Sequence, residues 1–138
     1  MTNTNRDAGV SGHGGFAALW DTSDQWHSAA ETAFVGFRDQ NRRLLTTSFV
    51  LLECGNAAAR RPYRSAVCRL RDSLSAAQML IEPTGEEVEK AWVNFRNGDM
   101  HQPGIVDQVS FAVMRRLGLS DAFTNDRHFR AAGFNVLF

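Results

Sequence analysis

Short strands alternating with helices predict an α/β fold, with a small, mostly parallel central sheet covered on both faces. Three observations carry this expectation. The chain has 138 residues, the size of one ordinary domain and enough to bury a core without disulfide or metal staples. Apolar residues make up 43% and charged residues 22%, the balance of a globular protein. Apolar stripes at intervals of three and four residues alternate with brief apolar runs bounded by turn residues.

Residues 1–15 are polar and rich in Gly, Asn and Ser. They have little to bury against their ordering entropy, so a flexible lead-in is expected, with the domain spanning 16–138. Phe16 to Trp20 is a short apolar run closed by Asp21-Thr22-Ser23-Asp24. Trp26, Ala29, Ala30, Ala33, Phe34 and Phe37 then form an amphipathic stripe, with Ser23 or Asp24 as its cap. Arg43 to Thr47 reads as a strand running into a helix over 48–60, with Val50, Leu51, Cys54 and Ala58 inward. Pro62 ends that helix. A helix over 63–75 carries Val67, Leu70 and Leu74, and Gln78 to Glu82 reads as a strand broken at Pro83-Thr84-Gly85.

Glu86, Glu87 and Glu89 crowd the start of the next helix, where its dipole favours acids. Val88, Trp92 and Phe95 are its expected buried side, and Asn97-Gly98 stops it. Ile105 to Leu117 is strongly periodic and is closed by Gly118. A strand over 122–125, a helix over 126–132 and a strand over 134–138 complete the order.

Fifteen basic and fifteen acidic side chains cancel, which argues against a protein held on nucleic acid by bulk positive charge. The basic set is almost wholly arginine, whose planar fork still suits phosphate. The densest basic stretch is Arg60, Arg61 and Arg64, with Arg69 and Arg71 beyond. It is either a solvated helix face or a contact for RNA or an acidic partner segment. Cys54 and Cys68 match no metal-ligand spacing and read as buried free thiols. No secretory or membrane-spanning segment stands out, so a cytoplasmic protein without membrane attachment is expected.

In open parallel sheets, ligands bind beyond the carboxyl ends of the strands. Three acids fall there: Glu53 on the helix after strand 43–47, Asp107 opening the most periodic helix, and Asp126 between the strand at 122–125 and its helix. Gathered together, they would repel unless protons or cations neutralised them, and magnesium takes hard oxygen ligands. Each also has a structural reading. Asp107 and Asp126 stand at helix starts, where aspartate caps. Glu53, between Leu52 and Cys54, lies close to a buried stripe, where glutamate needs a partner. His128 covers the last helix or faces a ligand, and His27 and His101 have no paired ligand spacing.

The wording of these segments resembles a known family. Thr46-Thr47-Ser48-Phe49-Val50-Leu51-Leu52-Glu53 resembles the strand-to-helix segment carrying the second acid of PIN domains. Ile105-Val106-Asp107-Gln108-Val109-Ser110-Phe111 is similar to their third motif. Thr124-Asn125-Asp126-Arg127-His128-Phe129, followed by Ala131-Ala132-Gly133-Phe134, is similar to their ending. Asp24-Gln25-Trp26-His27 resembles the loop before their second helix. The nearest group is the VapC-type ribonucleases of toxin–antitoxin pairs.

This resemblance implies a three-layer α/β/α fold, a Mg²⁺ or Mn²⁺ site and endonucleolytic cleavage of RNA. It makes Glu53, Asp107 and Asp126 the catalytic, metal-binding acids, with Ser110 supporting them. It also implies a small antitoxin partner and a homodimer, for which the apolar face of Tyr63, Val67, Leu70 and Leu74 is available.

The chain departs from the family at its start. The family's first strand ends in its first acid, and here the corresponding stretch reads Ser11-Gly12-His13-Gly14-Gly15. Gly12 takes the acid's place, Asp7 serves only if extra residues loop out, and Asp21 falls on the wrong side of the first helix. The first strand is therefore expected to be absent or degraded along with its acid. A catalytically impaired binding module for an antitoxin or RNA is the alternative reading.

Overall fold

The computed structural model describes residues 8–138. It holds β1 (Ala8–Ser11), α1 (His13–Trp20), α2 (His27–Asp39), β2 (Arg43–Thr47), α3 (Ser48–Ala58), α4 (Arg64–Ala76) and β3 (Leu80–Ile81). Then follow α5 (Gly85–Asn97), α6 (Ile105–Leu117), β4 (Asp121–Phe123), α7 (Arg127–Ala131) and β5 (Asn135–Val136). The strands form one sheet in the order β3-β2-β1-β4-β5, every neighbouring pair parallel.

The expected loss of the first strand is corrected here. Ala8–Ser11 is the central strand, pairing Val10 with Leu45 on one side and with Ala122 on the other. All four of its residues are buried. A strand covered on both faces carries no alternating pattern, and Ala-Gly-Val-Ser is too short and too small to stand out by hydrophobicity. Its glycine has a packing reason: a Cβ on Gly9 would lie 2.7 Å from Phe37 Cζ and 3.0 Å from the Asp121 carbonyl. The flexible lead-in is corrected likewise over 8–15, since residues 8–11 are strand and 13–15 begin α1, while its part over 1–7 lies outside the described residues. Gly15 is just as constrained, because a Cβ there would fall 2.0 Å from the Phe123 carbonyl.

Helices cover both faces. On one side Val10, Leu45 and Ala122 pack with Phe111, Met114, Phe129 and Phe134 from α6, α7 and the chain beyond. On the other, α1 sits between two clusters. Phe16 packs with Val50, Cys54 and Val67 of α3 and α4, and Ala18 packs with Ala30 of α2 and Phe123. The result is three layers, α/β/α.

Some sequence expectations need revision. In α5 the buried residues are Glu87 and Ala91, while Trp92 and Phe95 are about half exposed. Cys54 is buried but Cys68 is exposed. The Cys54 thiol is pushed up to about 12 by burial, with Glu53 adding to the effect, so it is an inert core group. Neither Ser23 nor Asp24 caps α2. Asp24 Oδ1 instead accepts from the N–H of Trp26, the N-cap residue, at 2.7 Å. No helix among the described residues is long and apolar enough to cross a membrane.

Candidate active site

The chain runs from β1 outward to β2 and β3, then returns to the other side of β1 for β4 and β5. The strand order thus reverses at β1 and β4, the crevice where open α/β sheets place their ligands. Polar residues mark this edge in an apolar molecule. Ser11 ends β1, Thr46 and Thr47 end β2, and Thr124 follows β4, all of them buried. Each has work inside the fold. Thr46 Oγ1 donates to the Ser11 carbonyl at 2.8 Å, and Ser11 Oγ donates to the Gly12 carbonyl at 2.9 Å. Thr47 Oγ1 caps α3 by accepting from the Val50 N–H. Thr124 Oγ1 accepts from the Asp126 N–H at 3.1 Å. These bonds fix the strand ends along the edge where the acids gather.

Asp126 is the N-cap of α7, and its Oδ1 accepts from the His128 N–H at 2.8 Å. The structural reading of Asp126 is therefore correct as far as it goes. Asp107 is different. The N-cap of α6 is Gly104, and Asp107 lies inside the first turn. Burial first, then the negative charges of Asp126 and Glu53, push its carboxyl up to about 7, with His128 acting in the opposite direction. Capping does not account for Asp107.

One ligand atom each from Asp107, Asp126 and His128 lie within 4.8 Å of one another. His128 Nδ1 is 3.0 Å from Asp126 Oδ1, so the histidine set aside in the sequence belongs to the cluster. The DxH spacing across a helix N-cap was its available signal. Glu53 stands beside this group rather than inside it. It is close enough to act on Asp107, but it is exposed, which corrects its placement near the buried stripe.

Ser110, one helical turn after Asp107, is fully buried, and its Oγ has no hydrogen-bond partner. Buried hydroxyls are normally satisfied by protein or water, so this one has an O–H free to donate one helical turn from Asp107. Among the described residues no arginine or lysine forms an ion pair with Glu53, Asp107 or Asp126. A convergent set of carboxylates with one imidazole and no cationic side chain fits a hard divalent ion such as Mg²⁺ or Mn²⁺.

The remaining candidates lie elsewhere. Gly12 occupies the carboxyl end of the central strand as the N-cap of α1 and brings no side chain. Asp7 lies outside the described residues. Arg60, Arg61 and Arg64 are exposed around the α3–α4 turn, about two helical turns beyond Glu53, and do not join the acids.

The chain matches the PIN domain family model over residues 18–135. It is 32% identical over 120 residues to the 23S rRNA-specific endonuclease VapC20 of Mycobacterium tuberculosis, in strains CDC 1551 and H37Rv alike. The match covers 86% of this chain and 89% of the relative. The crystal structure of M. tuberculosis VapC20, described as a sarcin–ricin loop cleaving toxin, superposes with a TM-score of 0.77 at 27% identity. That superposition spans 91% of this chain and 95% of the other. On the extent of the family match and the identity to this relative, the chain belongs to the PIN domain family, in its VapC-type group.

Proposed function

We propose that this protein is a metal-dependent endoribonuclease, the toxin of a toxin–antitoxin pair, acting in the cytoplasm. The observation that carries the reading is Asp107. It is a partly buried acid in a helix's first turn, beside Asp126 and within reach of the Glu53 charge, with no arginine or lysine paired to it and only His128 acting to relieve it. Such an arrangement is unfavourable for the fold alone and is relieved by a bound cation.

Asp107 and Asp126 would hold the ion, with Glu53 reaching in from α3 and His128 available beside Asp126. A divalent ion bound there supplies Lewis acidity toward a phosphate oxygen and lowers the pKa of bound water. The chain's own groups do the positioning. The bonds to Thr124 and His128 fix the orientation of Asp126. The Ser110 hydroxyl, one helical turn after Asp107, is free to donate a hydrogen bond, and partial burial in the first turn of α6 restricts Asp107. An RNA phosphodiester presented to this edge meets oriented carboxylates from two elements, with a third beside them.

Gly12 favours a second reading, a binding module with weakened or lost catalysis. Both readings keep a small antitoxin as partner, with Arg60, Arg61 and Arg64 as contacts for acidic or phosphate groups. Both also keep a homodimer formed through Tyr63, Val67, Leu70 and Leu74. Incubation of the protein with structured RNA in magnesium, manganese or EDTA separates them. The nuclease reading expects cleavage only with metal, and its loss in Glu53→Gln. No cleavage with either ion, or Glu53→Gln matching wild type, removes it. Co-purification with a small partner, without any metal-induced rise in Tm, would then support the binding module.

A further inference from the structure

A cavity of about 630 Å³ opens beside the acids, between the end of α5, the loop at 98–104, α6 and α7. Its size lies within the roughly 300–1,000 Å³ of small-molecule sites. Its wall carries four side-chain amides alongside the aliphatic Pro103, Ala131 and Ala132 and one acid, Asp99. Asn94 and Asn97 come from α5, Gln102 from the loop and Gln108 from α6. Phe111 and Arg115 complete the α6 side.

Two residues link this cavity to the acid cluster, Gln108 by its place in the chain and His128 by contact. Gln108 directly follows Asp107. His128 lines the cavity and is a shared wall, with Nδ1 3.0 Å from Asp126 Oδ1 and Nε2 3.0 Å from the His101 carbonyl of the loop. Arg115 is held in place at the rim. Its Nη2 donates to the Ala132 carbonyl at 3.3 Å, and its guanidinium lies over the Phe111 and Phe134 rings at 5.9 and 5.4 Å. Gly98 lets the loop fold tightly, because a Cβ there would meet Gln102 Cβ and Cγ at 3.0 Å.

Uncharged amides that both donate and accept suit the edge of a nucleobase. Asn and Gln pair bidentately with adenine, and a fixed arginine suits phosphate or a purine edge. Sequence-specific RNA recognition works on unpaired bases splayed out of the chain. We infer that this cavity receives an unpaired purine nucleotide, adenine above all, flanking the phosphate presented to Asp107 and Asp126. The inference rests on the nuclease reading for the phosphate's position and adds the element that selects the RNA.

The test uses full-length protein carrying Asp107→Asn, which silences cleavage, with fluorescein-labelled single-stranded RNA octamers of A and of U. The parent is expected to bind the A octamer at least fivefold more tightly by anisotropy. Adding Asn94→Ala and Gln102→Ala, both exposed positions, should abolish that preference while leaving U binding within twofold. With Asp107 intact, the same pair should lower kcat/KM on an A-containing substrate about tenfold, mainly through KM. Equal binding of the two octamers by the parent overturns base selection. A preference that survives both alanines overturns its assignment to this cavity. If the intact protein cuts no RNA with magnesium but the preference appears and is lost as expected, the nuclease reading falls and the nucleotide pocket stands.

Discussion

The two ends of the sheet treat their acids in opposite ways. At the amino end of β4, Asp121 is gripped by Arg42 Nη2 at 2.6 Å and accepts from Asn135 Nδ2 at 3.1 Å. On α5, buried Glu87 meets Arg116 Nε at 2.7 Å and closes a capping box with Thr84. Burial acts to raise the Glu87 carboxyl, but the bonds from Arg116 and Thr84 outweigh it and hold the group below its ordinary value. At the carboxyl end Asp107 is pushed upward instead. The same fold supplies arginines where acids serve stability and withholds them where acids gather. What distinguishes the candidate site is therefore the missing counter-charge, more than the acids themselves.

The largest effect expected from breaking this contrast is at the stabilised end. Both Arg42 and Asp121 have side chains less than a fifth exposed. Removing the arginine leaves a carboxylate in a poorly solvated place, which typically costs 3–5 kcal/mol. Arg42→Met keeps the packing on the Phe37 ring, 4.1 Å from the guanidinium carbon, and isolates the charge term. Urea unfolding should show a loss of about 4 kcal/mol. A loss under 1 kcal/mol would mean that Asp121 needs no partner, and the contrast between the two ends would fail.

At the other end the same kind of change should act in reverse. Asp107→Asn removes a charge that the metal-free fold resists, so Tm in EDTA at pH 8 should rise. RNA cleavage should fall at least about 100-fold, since even groups that merely orient metal ligands are worth 10–100-fold. Stability gained as activity is lost is the signature of a group held for function. An Asp107→Asn protein that is both less stable and fully active would identify Asp107 as a structural residue.

How far the sequence revealed this contrast depends on the kind of signal. The bounds of β2 and α6 coincide with the sequence reading because Arg43–Thr47 and Ile105–Leu117 carry clean patterns and clear stops. β1 escaped notice because buried small residues such as Gly9 and Ser11 are selected by close approach, and this leaves no periodicity. Trp92 and Phe95 misled because a helix face was assigned by hydrophobicity, whereas the contact with α6 is made through Ala91 and Glu87. Asp107 and Asp126 looked alike as helix-start acids, and only the cap geometry separated them. His128 gave too little on its own, because its meaning comes from the approach of Asp107 across the sheet edge.

The pH dependence of stability should carry the same asymmetry. Asp107 has a folded-state value near 7 against 3.8 for the free side chain, so between these values the folded state binds more protons than the unfolded. Stability then falls as pH rises through that window. Glu87, shifted downward from 4.5, contributes stability above that value and loses it as pH falls. Metal-free protein should therefore be more stable at pH 5 than at pH 8, by about 2–3 kcal/mol. Asp107→Asn should flatten the alkaline limb. Magnesium at pH 8 should restore the loss by binding the folded state alone. A limb unchanged by either would place the titrating group elsewhere.

The smallest change sharpens the contrast from the other direction, by adding an acid at position 12. Gly12 ends the central strand beside Thr124, and a Cβ there would lie 3.3 Å from Phe129 Cζ and 3.9 Å from Thr124 Oγ1. The ring must yield by a few tenths of an ångström, so Gly12→Asp should cost a little stability. Its backbone, with φ −90° and ψ 176°, is open to any residue, and aspartate is a preferred N-cap where this helix has no side-chain cap bond. An additional carboxylate at the edge raises the negative charge available to a cation. Isothermal titration with Mn²⁺ should show affinity increased roughly tenfold, because ligand charge count tunes divalent-ion binding. The same charge should lower metal-free Tm further at pH 8 than at pH 5, since it deepens the repulsion on Asp107. Unchanged Mn²⁺ affinity, with Tm lowered equally at both pH values, would mean that position 12 looks away from the acids. The glycine would then be a packing residue under Phe129.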